Sequence, residues 1–129
     1  MIYIAGPFFT DKERTFLKIV IESVKEICPN EELFIPMEHF ISDGENLSNN
    51  EWAEAVFKMK VEALNKCNRV VAAYLGLYSD TGTAWEIGYA YAKGIPVTLI
   101  LHSNALEGEV SIMPIQSSNN PFKTTLNQK

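Results

Sequence analysis

Val70-Val71-Ala72-Ala73-Tyr74-Leu75 is an unbroken apolar run, and Ile95-Pro96-Val97-Thr98-Leu99-Ile100-Leu101 is a second one a helix-length further on. Short runs without polar alternation read as strands covered on both faces, the pattern of a parallel sheet. Between them lie a loop from Gly76 to Gly82 and a helical segment, Ala84 to Lys93, stopped by Gly94. Parallel neighbours need a crossover of that kind. This stretch therefore predicts a strand-helix-strand unit.

The same unit recurs upstream. Ile2-Tyr3-Ile4-Ala5 reads as a buried strand ending at Gly6-Pro7. Thr10 and Glu13 form a capping-box pattern, and apolar residues then recur at Phe16/Leu17, Val20, Val24 and Ile27/Cys28 with helical spacing. Leu33-Phe34-Ile35 is a further strand, closed by Pro36. Residues 37 to 47 are polar and turn-rich, with Asp43-Gly44 the clearest turn signal. Ser48 and Glu51 open a second helix that carries Trp52, Val56, Met59 and Ala63 on one side. Its i,i+4 pairs are Glu54-Lys58 and Glu62-Lys66. Alternation of strands and helices predicts an α/β fold, three layers with a parallel sheet, as one domain over residues 1–129. Beyond His102 the periodicity weakens, and Asn119 onward reads as a loosely ordered tail.

The chain has 129 residues, 47% hydrophobic and 21% charged, which is ordinary for a folded domain. Acidic residues outnumber basic ones 16 to 11, giving a net charge of -5. Such a domain repels phosphate backbones, so no nucleic-acid polymer is expected as a partner. The longest apolar runs are too short to span a bilayer, so no membrane is expected either. Met1 leads into a strand-like run with no basic segment, and the expected location is cytoplasmic. Cys28 and Cys67 form neither a disulfide framework nor a metal pattern. Neither His39 nor His102 has a second ligand at metal spacing, so no metal and no cofactor are expected. There is no phosphate-binding glycine loop and no Gly-x-Ser-x-Gly elbow.

In an open parallel sheet, ligands bind at the carboxyl ends of the strands. That rule selects Gly6 to Thr10, Pro36 to Leu47, and Leu75 to Gly82. The third loop runs into Thr83-Ala84-Trp85-Glu86-Ile87-Gly88-Tyr89-Ala90-Tyr91-Ala92, whose single charged residue is Glu86. An apolar-all-round helix is expected to be buried, so a lone carboxylate there needs a partner or a purpose. Thr83 and Glu86 also match a capping box, which would place Glu86 in the first turn, so a cap and a catalytic role stand side by side. Asp80, in the preceding loop, can reach the same cleft or simply shape the turn. Two carboxylates at a strand end suit a nucleophile and a proton donor. Phe8 and Phe9 read either as core or as a stacking surface for a flat ligand. Lys12 and Arg14 read as solvated surface or a phosphate contact, and Tyr3 reads as packing.

Two segments together, Ile2-Tyr3-Ile4-Ala5-Gly6-Pro7-Phe8-Phe9 and Asp80-Thr81-Gly82-Thr83-Ala84-Trp85-Glu86-Ile87-Gly88-Tyr89-Ala90, resemble the nucleoside 2-deoxyribosyltransferases. The resemblance runs from about Met1 to Gln116. It implies a flavodoxin-like (Rossmann-like) three-layer α/β/α subunit, with a parallel sheet of about five strands, that transfers 2-deoxyribose between nucleobases, with deoxynucleosides and free bases as its small-molecule partners. It implies Glu86 as the nucleophile at C1′ and Asp80 as the group handling the proton on the departing base. Tyr3 would fix the carboxylate, with Gly6, Phe8, Phe9 and Gly82 around the substrate. The family assembles into homo-oligomers, dimers or hexamers, in which a neighbour's C-terminal segment completes each site. Here that segment would be Ser111 to Ser117, with Ser111 and Met113 contacting substrate.

The chain departs from the usual family pattern at Lys60, where members often carry Asp in the second helix, at Ser111, commonly Asn, and across Pro36 to Phe40. Two alternatives accompany the transferase. One is an N-glycoside hydrolase acting on a 2′-deoxynucleoside or its 5′-monophosphate. The other is a catalytically silent nucleoside-binding module.

Overall fold

The structure, a computed structural model, describes residues 1–75, 81–102 and 112–118. Four strands, β1 (Ile2–Ala5), β2 (Leu33–Phe34), β3 (Arg69–Tyr74) and β4 (Val97–Leu101), form one parallel sheet in the order β2-β1-β3-β4. Helices α1 (Asp11–Ile27), α2 (Asn49–Lys66) and α3 (Thr81–Ala92) connect them in turn, and α4 (Ile112–Ser117) follows. This is the first part of the flavodoxin-like order, whose switch point lies between β1 and β3. About five strands were expected and the described residues hold four; the next described element after β4 is α4, which packs against α3 and β4.

Strand periodicity sorts the side chains into two layers. Ile2, Ile4, Val71 and Ala73 face α1, which presents Phe16, Leu17, Val20, Ile21 and Val24 at helical spacing. Tyr3, Ala5, Val70, Ala72, Val97 and Leu99 face the opposite way, onto Ala63 and Leu64 of α2 and Ile87 and Ala90 of α3. The three layers follow from alternation alone.

Two of the three capping boxes form. Thr10 and Glu13 satisfy each other's backbone N–H groups at the start of α1, and Ser48 and Glu51 do the same for α2. The third does not, because α3 starts at Thr81, two residues before the expected cap. Thr83 is thereby a buried interior residue, and Glu86 lies beyond the first turn rather than within it. The expected burial of α3 on all sides also fails within one chain. Thr83, Glu86, Ile87 and Ala90 are buried, but Trp85 and Tyr91 are exposed, since the sheet covers a single face of the helix.

Gly6 shows how closely β1 exits against its neighbours. A Cβ there would lie 2.9 Å from Leu17 Cδ1 and 3.0 Å from Ala73 Cβ. The leucine tip can move, but the alanine Cβ is fixed to β3. Gly6→Ala is expected to cost about 1–3 kcal/mol through overpacking, read as a lower midpoint in chemical denaturation.

Candidate active site

The loop after β1 leads into the N-terminus of α1. Arg14 donates from Nη1 to the carbonyls of Phe8 (3.0 Å) and Phe9 (3.1 Å), and its other nitrogen pairs with Asp11. Its guanidinium therefore holds this loop, a role that neither reading of Arg14, solvated surface or phosphate contact, includes. The loop carries Phe8 and Phe9, stacked with centroids 6.1 Å apart, and Phe9 is 73% exposed, so it is not core.

Glu86 hangs from α3 on the other side of the same sheet edge. Gly82, one turn earlier on the same helix face, offers no side chain, and helical side chains lean back over that turn. The carboxylate is 8% exposed. Tyr3, fully buried in β1, donates its hydroxyl to Glu86 Oε2 across 83 residues of sequence. Below the phenol an aromatic tier continues: Tyr3 stacks on Phe34 (5.3 Å) and Phe34 on His39 (4.2 Å). Tyr3 is thus both packed, as its strand position implied, and bonded to a carboxylate.

Burial first, and the Glu86 charge second, push the Tyr3 phenol far above the ordinary tyrosine value. The phenol accordingly remains the donor through the working pH range. Linkage gives the sign for stability. A phenol ionising near 10 in the unfolded chain and much higher in the folded one favours folding fully below pH 10. That contribution is lost as the pH climbs above it. The midpoint of unfolding in alkaline buffers is expected to fall less steeply for Tyr3→Phe than for the wild type.

Two hollows meet at Glu86. One, of about 430 Å³, is lined by Gly6, Phe8 and Phe9 together with His39, Phe40 and Met59. The other, of about 490 Å³, lies between α2 and α3 and includes Thr81, Gly82, Trp85 and Phe57. Trp52, Val56, Lys60 and Glu86 line both, so the two form one cleft with the carboxylate at its waist.

Of the residues singled out from the sequence, Tyr3, Gly6, Phe8, Phe9, Gly82 and Glu86 come together here. Met113 does not: it is exposed and borders a separate hollow of about 330 Å³ with Tyr74, Ala84, Ile87, Gly88, Pro114 and Ser117. Asp80 and Ser111 lie outside the described residues. The sequence places Trp52, Val56, Met59 and Ala63 on one side of the second helix without assigning them to a site; Trp52 and Val56 form cleft wall, and Trp52 is 50% exposed. A signal was present, since Trp52, Val56 and Lys60 share one helix face and a lysine interrupts the apolar stripe. Among the described residues, no group of three or more His, Cys, Asp or Glu could hold a metal ion, and no helix is long and apolar enough to cross a membrane.

The fold and the site together define a class: a parallel α/β domain whose buried carboxylate meets an aromatic-walled cleft at the strand ends. A family model for nucleoside 2-deoxyribosyltransferases matches residues 2–116. The nucleoside deoxyribosyltransferase of Lactobacillus leichmannii is 23% identical over 130 residues, covering 95% of this chain and 83% of that protein. The solved structure of a 2-deoxyribosyltransferase from Bacillus psychrosaccharolyticus superposes with a TM-score of 0.78 at 28% identity, covering 91% of this chain and 81% of that one. A conserved protein from Enterococcus faecalis V583 superposes with a TM-score of 0.65 at 28% identity, covering 80% of this chain and 64% of that one. The chain belongs to the nucleoside 2-deoxyribosyltransferase family.

Proposed function

We propose that this protein transfers the 2-deoxyribosyl group of a deoxynucleoside to a free nucleobase, with Glu86 as the nucleophile. The observation that carries this reading is the Tyr3 hydroxyl bonded to a buried Glu86 carboxylate at the waist of the cleft. The hydrogen bond fixes one carboxylate oxygen and leaves the group oriented, so less ordering is needed at the moment of attack. Tyr3 positions; Glu86 reacts.

A Glu86 oxygen attacks C1′ as the C1′–N bond breaks, and the bond's electron pair leaves with the base. Asp80 delivers the proton that makes the departing base neutral. The second base then attacks C1′ from the face the first base vacated, gives its N–H proton to the Asp80 carboxylate and expels Glu86 as carboxylate, so two inversions retain the configuration. The absence of a 2-hydroxyl makes the oxocarbenium-like transition state more accessible. Gly6, Phe8 and Phe9 line the base pocket, with Gly82 clearing space at the carboxylate. A dry pocket is what favours a second base over water.

Homo-oligomerisation belongs to the same proposal. Phe57, Trp85 and Tyr89 form a continuous aromatic ladder (5.5 and 5.3 Å between centroids), and Phe57 and Trp85 remain exposed in the single chain. Ile112 and Met113 are exposed nearby in sequence to Ser111, and they suit a segment that completes a neighbour's site. Chromatography of the purified protein with thymidine, with and without hypoxanthine, tests the reaction. Deoxyinosine formed only with hypoxanthine present supports transfer, and thymine released at an equal rate without it moves the assignment to hydrolysis.

A further inference from the structure

We propose that Lys60 selects the base: the cleft favours nucleobases that present a carbonyl oxygen (6-oxopurines and 4-oxopyrimidines) over those that present an amino group there. The inference rests on the transferase reading above and names the substrate class within it.

Lys60 lines both lobes of the cleft beside Glu86, on the same face of α2 as Trp52 and Val56. It is the only Lys or Arg among the described residues that line the cleft. Its ammonium makes no hydrogen bond or ion pair with any described residue, whereas Arg14 and Lys58 are paired with Asp11 and Glu54. The surrounding walls are aromatic or aliphatic: Phe8, Phe9, Phe40, Trp52, Val56 and Met59. Flat walls suit a base ring, and an uncommitted cation among them is available to its polar edge.

An ammonium only donates. Hypoxanthine and guanine offer it two adjacent acceptors, O6 and N7, while adenine replaces O6 by a donor; thymine and uracil offer O4 where cytosine has an amine. Ammonium facing amine is a repulsive pair, so the site discriminates by rejection as well as by attraction. The same contact works during bond cleavage. The electron pair from the C1′–N bond delocalises onto the exocyclic oxygen of an oxo base, and a fixed cation beside that oxygen stabilises it without transferring its own proton. The proton on the departing base still comes from Asp80, as above.

The test is an internal competition between acceptors. Wild-type full-length protein receives one donor, thymidine, and equal hypoxanthine and adenine, and the ratio of deoxyinosine to deoxyadenosine is measured. Because both acceptors share the donor step, the ratio reports acceptor selection alone. The expected ratio is roughly ten- to a hundredfold in favour of deoxyinosine, the range of one charge-assisted hydrogen bond. In Lys60→Met it is expected to fall close to one, and in Lys60→Arg to stay on the deoxyinosine side. A wild-type ratio near one, or a Lys60→Met ratio equal to the wild type's, overturns the proposal.

If the wild type forms neither product, the transferase reading fails, and base binding still decides the role of Lys60. Hypoxanthine and adenine are then titrated into both proteins by quenching of Trp52 and Trp85 fluorescence. A loss confined to hypoxanthine in Lys60→Met supports base selection; equal losses, or none, overturn it. A preference for thymidine 5′-monophosphate over thymidine that disappears in Lys60→Met, with the base ratio unchanged, assigns the cation to a phosphate and also overturns it.

Discussion

Glu86→Gln is expected to lower transfer by roughly four or more orders of magnitude while leaving a folded protein, as removal of a nucleophile from a cooperating site does. The amide is nearly the size of the carboxylate and keeps an oxygen that accepts from Tyr3, so the buried hydroxyl is not orphaned. Glu86 is an interior residue of α3 rather than its cap, so the substitution removes no helix-start contact. Rates of product formation and a thermal melt, run on the same preparation, separate chemistry from folding. Near-wild-type transfer by Glu86→Gln removes Glu86 from the mechanism.

The second large effect is expected at Tyr3. Tyr3→Phe keeps the ring against Phe34 and deletes only the hydroxyl that holds Glu86. A hydrogen bond to a charged group contributes about 1.5–3 kcal/mol, so kcat is expected to fall by roughly ten- to a hundredfold. Since Tyr3 acts through Glu86, KM for the donor should change little. A fall in kcat with constant KM supports positioning; a raised KM at constant kcat points to substrate contact instead, and an unchanged pair of constants leaves the hydroxyl without a part in catalysis.

Most of the fold was legible because it rests on local periodicity. Both buried runs, Val70 to Leu75 and Ile95 to Leu101, became β3 and β4 within one or two residues, and two capping boxes formed as written. The third misled because its Thr-x-x-Glu spacing also occurs inside a helix that begins at Thr81. Spacing alone does not say whether a threonine is outside the first turn or within it. Exposure of Trp85 and Tyr91 was equally illegible, because apolar composition tells that a face seeks cover but not which chain covers it.

The site divides along the same line. Glu86 stood out as the lone charge on an apolar helix, and Tyr3, Gly6, Phe8 and Phe9 followed from the rule of strand ends and from the family resemblance. The walls contributed by α2 were legible only as a shared helix face, not as part of the site. Trp52, Val56 and Lys60 meet Glu86 only through packing of two helices on one sheet face, a long-range relation that helical periodicity does not encode. His39 and Phe40 reach the cleft directly after a 3₁₀ turn (Pro36–Glu38), with His39 stacked on Phe34, a contact distant enough from local periodicity to be unreadable in the sequence. Asp80 rests on its loop position and on the resemblance, Ser111 on the resemblance alone, and both lie outside the described residues.

The most direct measurement is intact-protein mass spectrometry after rapid acid quench of the enzyme mixed with thymidine and no acceptor base, followed by peptide mapping. The expected result is a fraction of protein heavier by one deoxyribosyl group, carried on the peptide containing Glu86, and its disappearance when hypoxanthine is added before the quench. An adduct on a different residue, or thymine released with no adduct at any quench time, contradicts Glu86 as the covalent nucleophile.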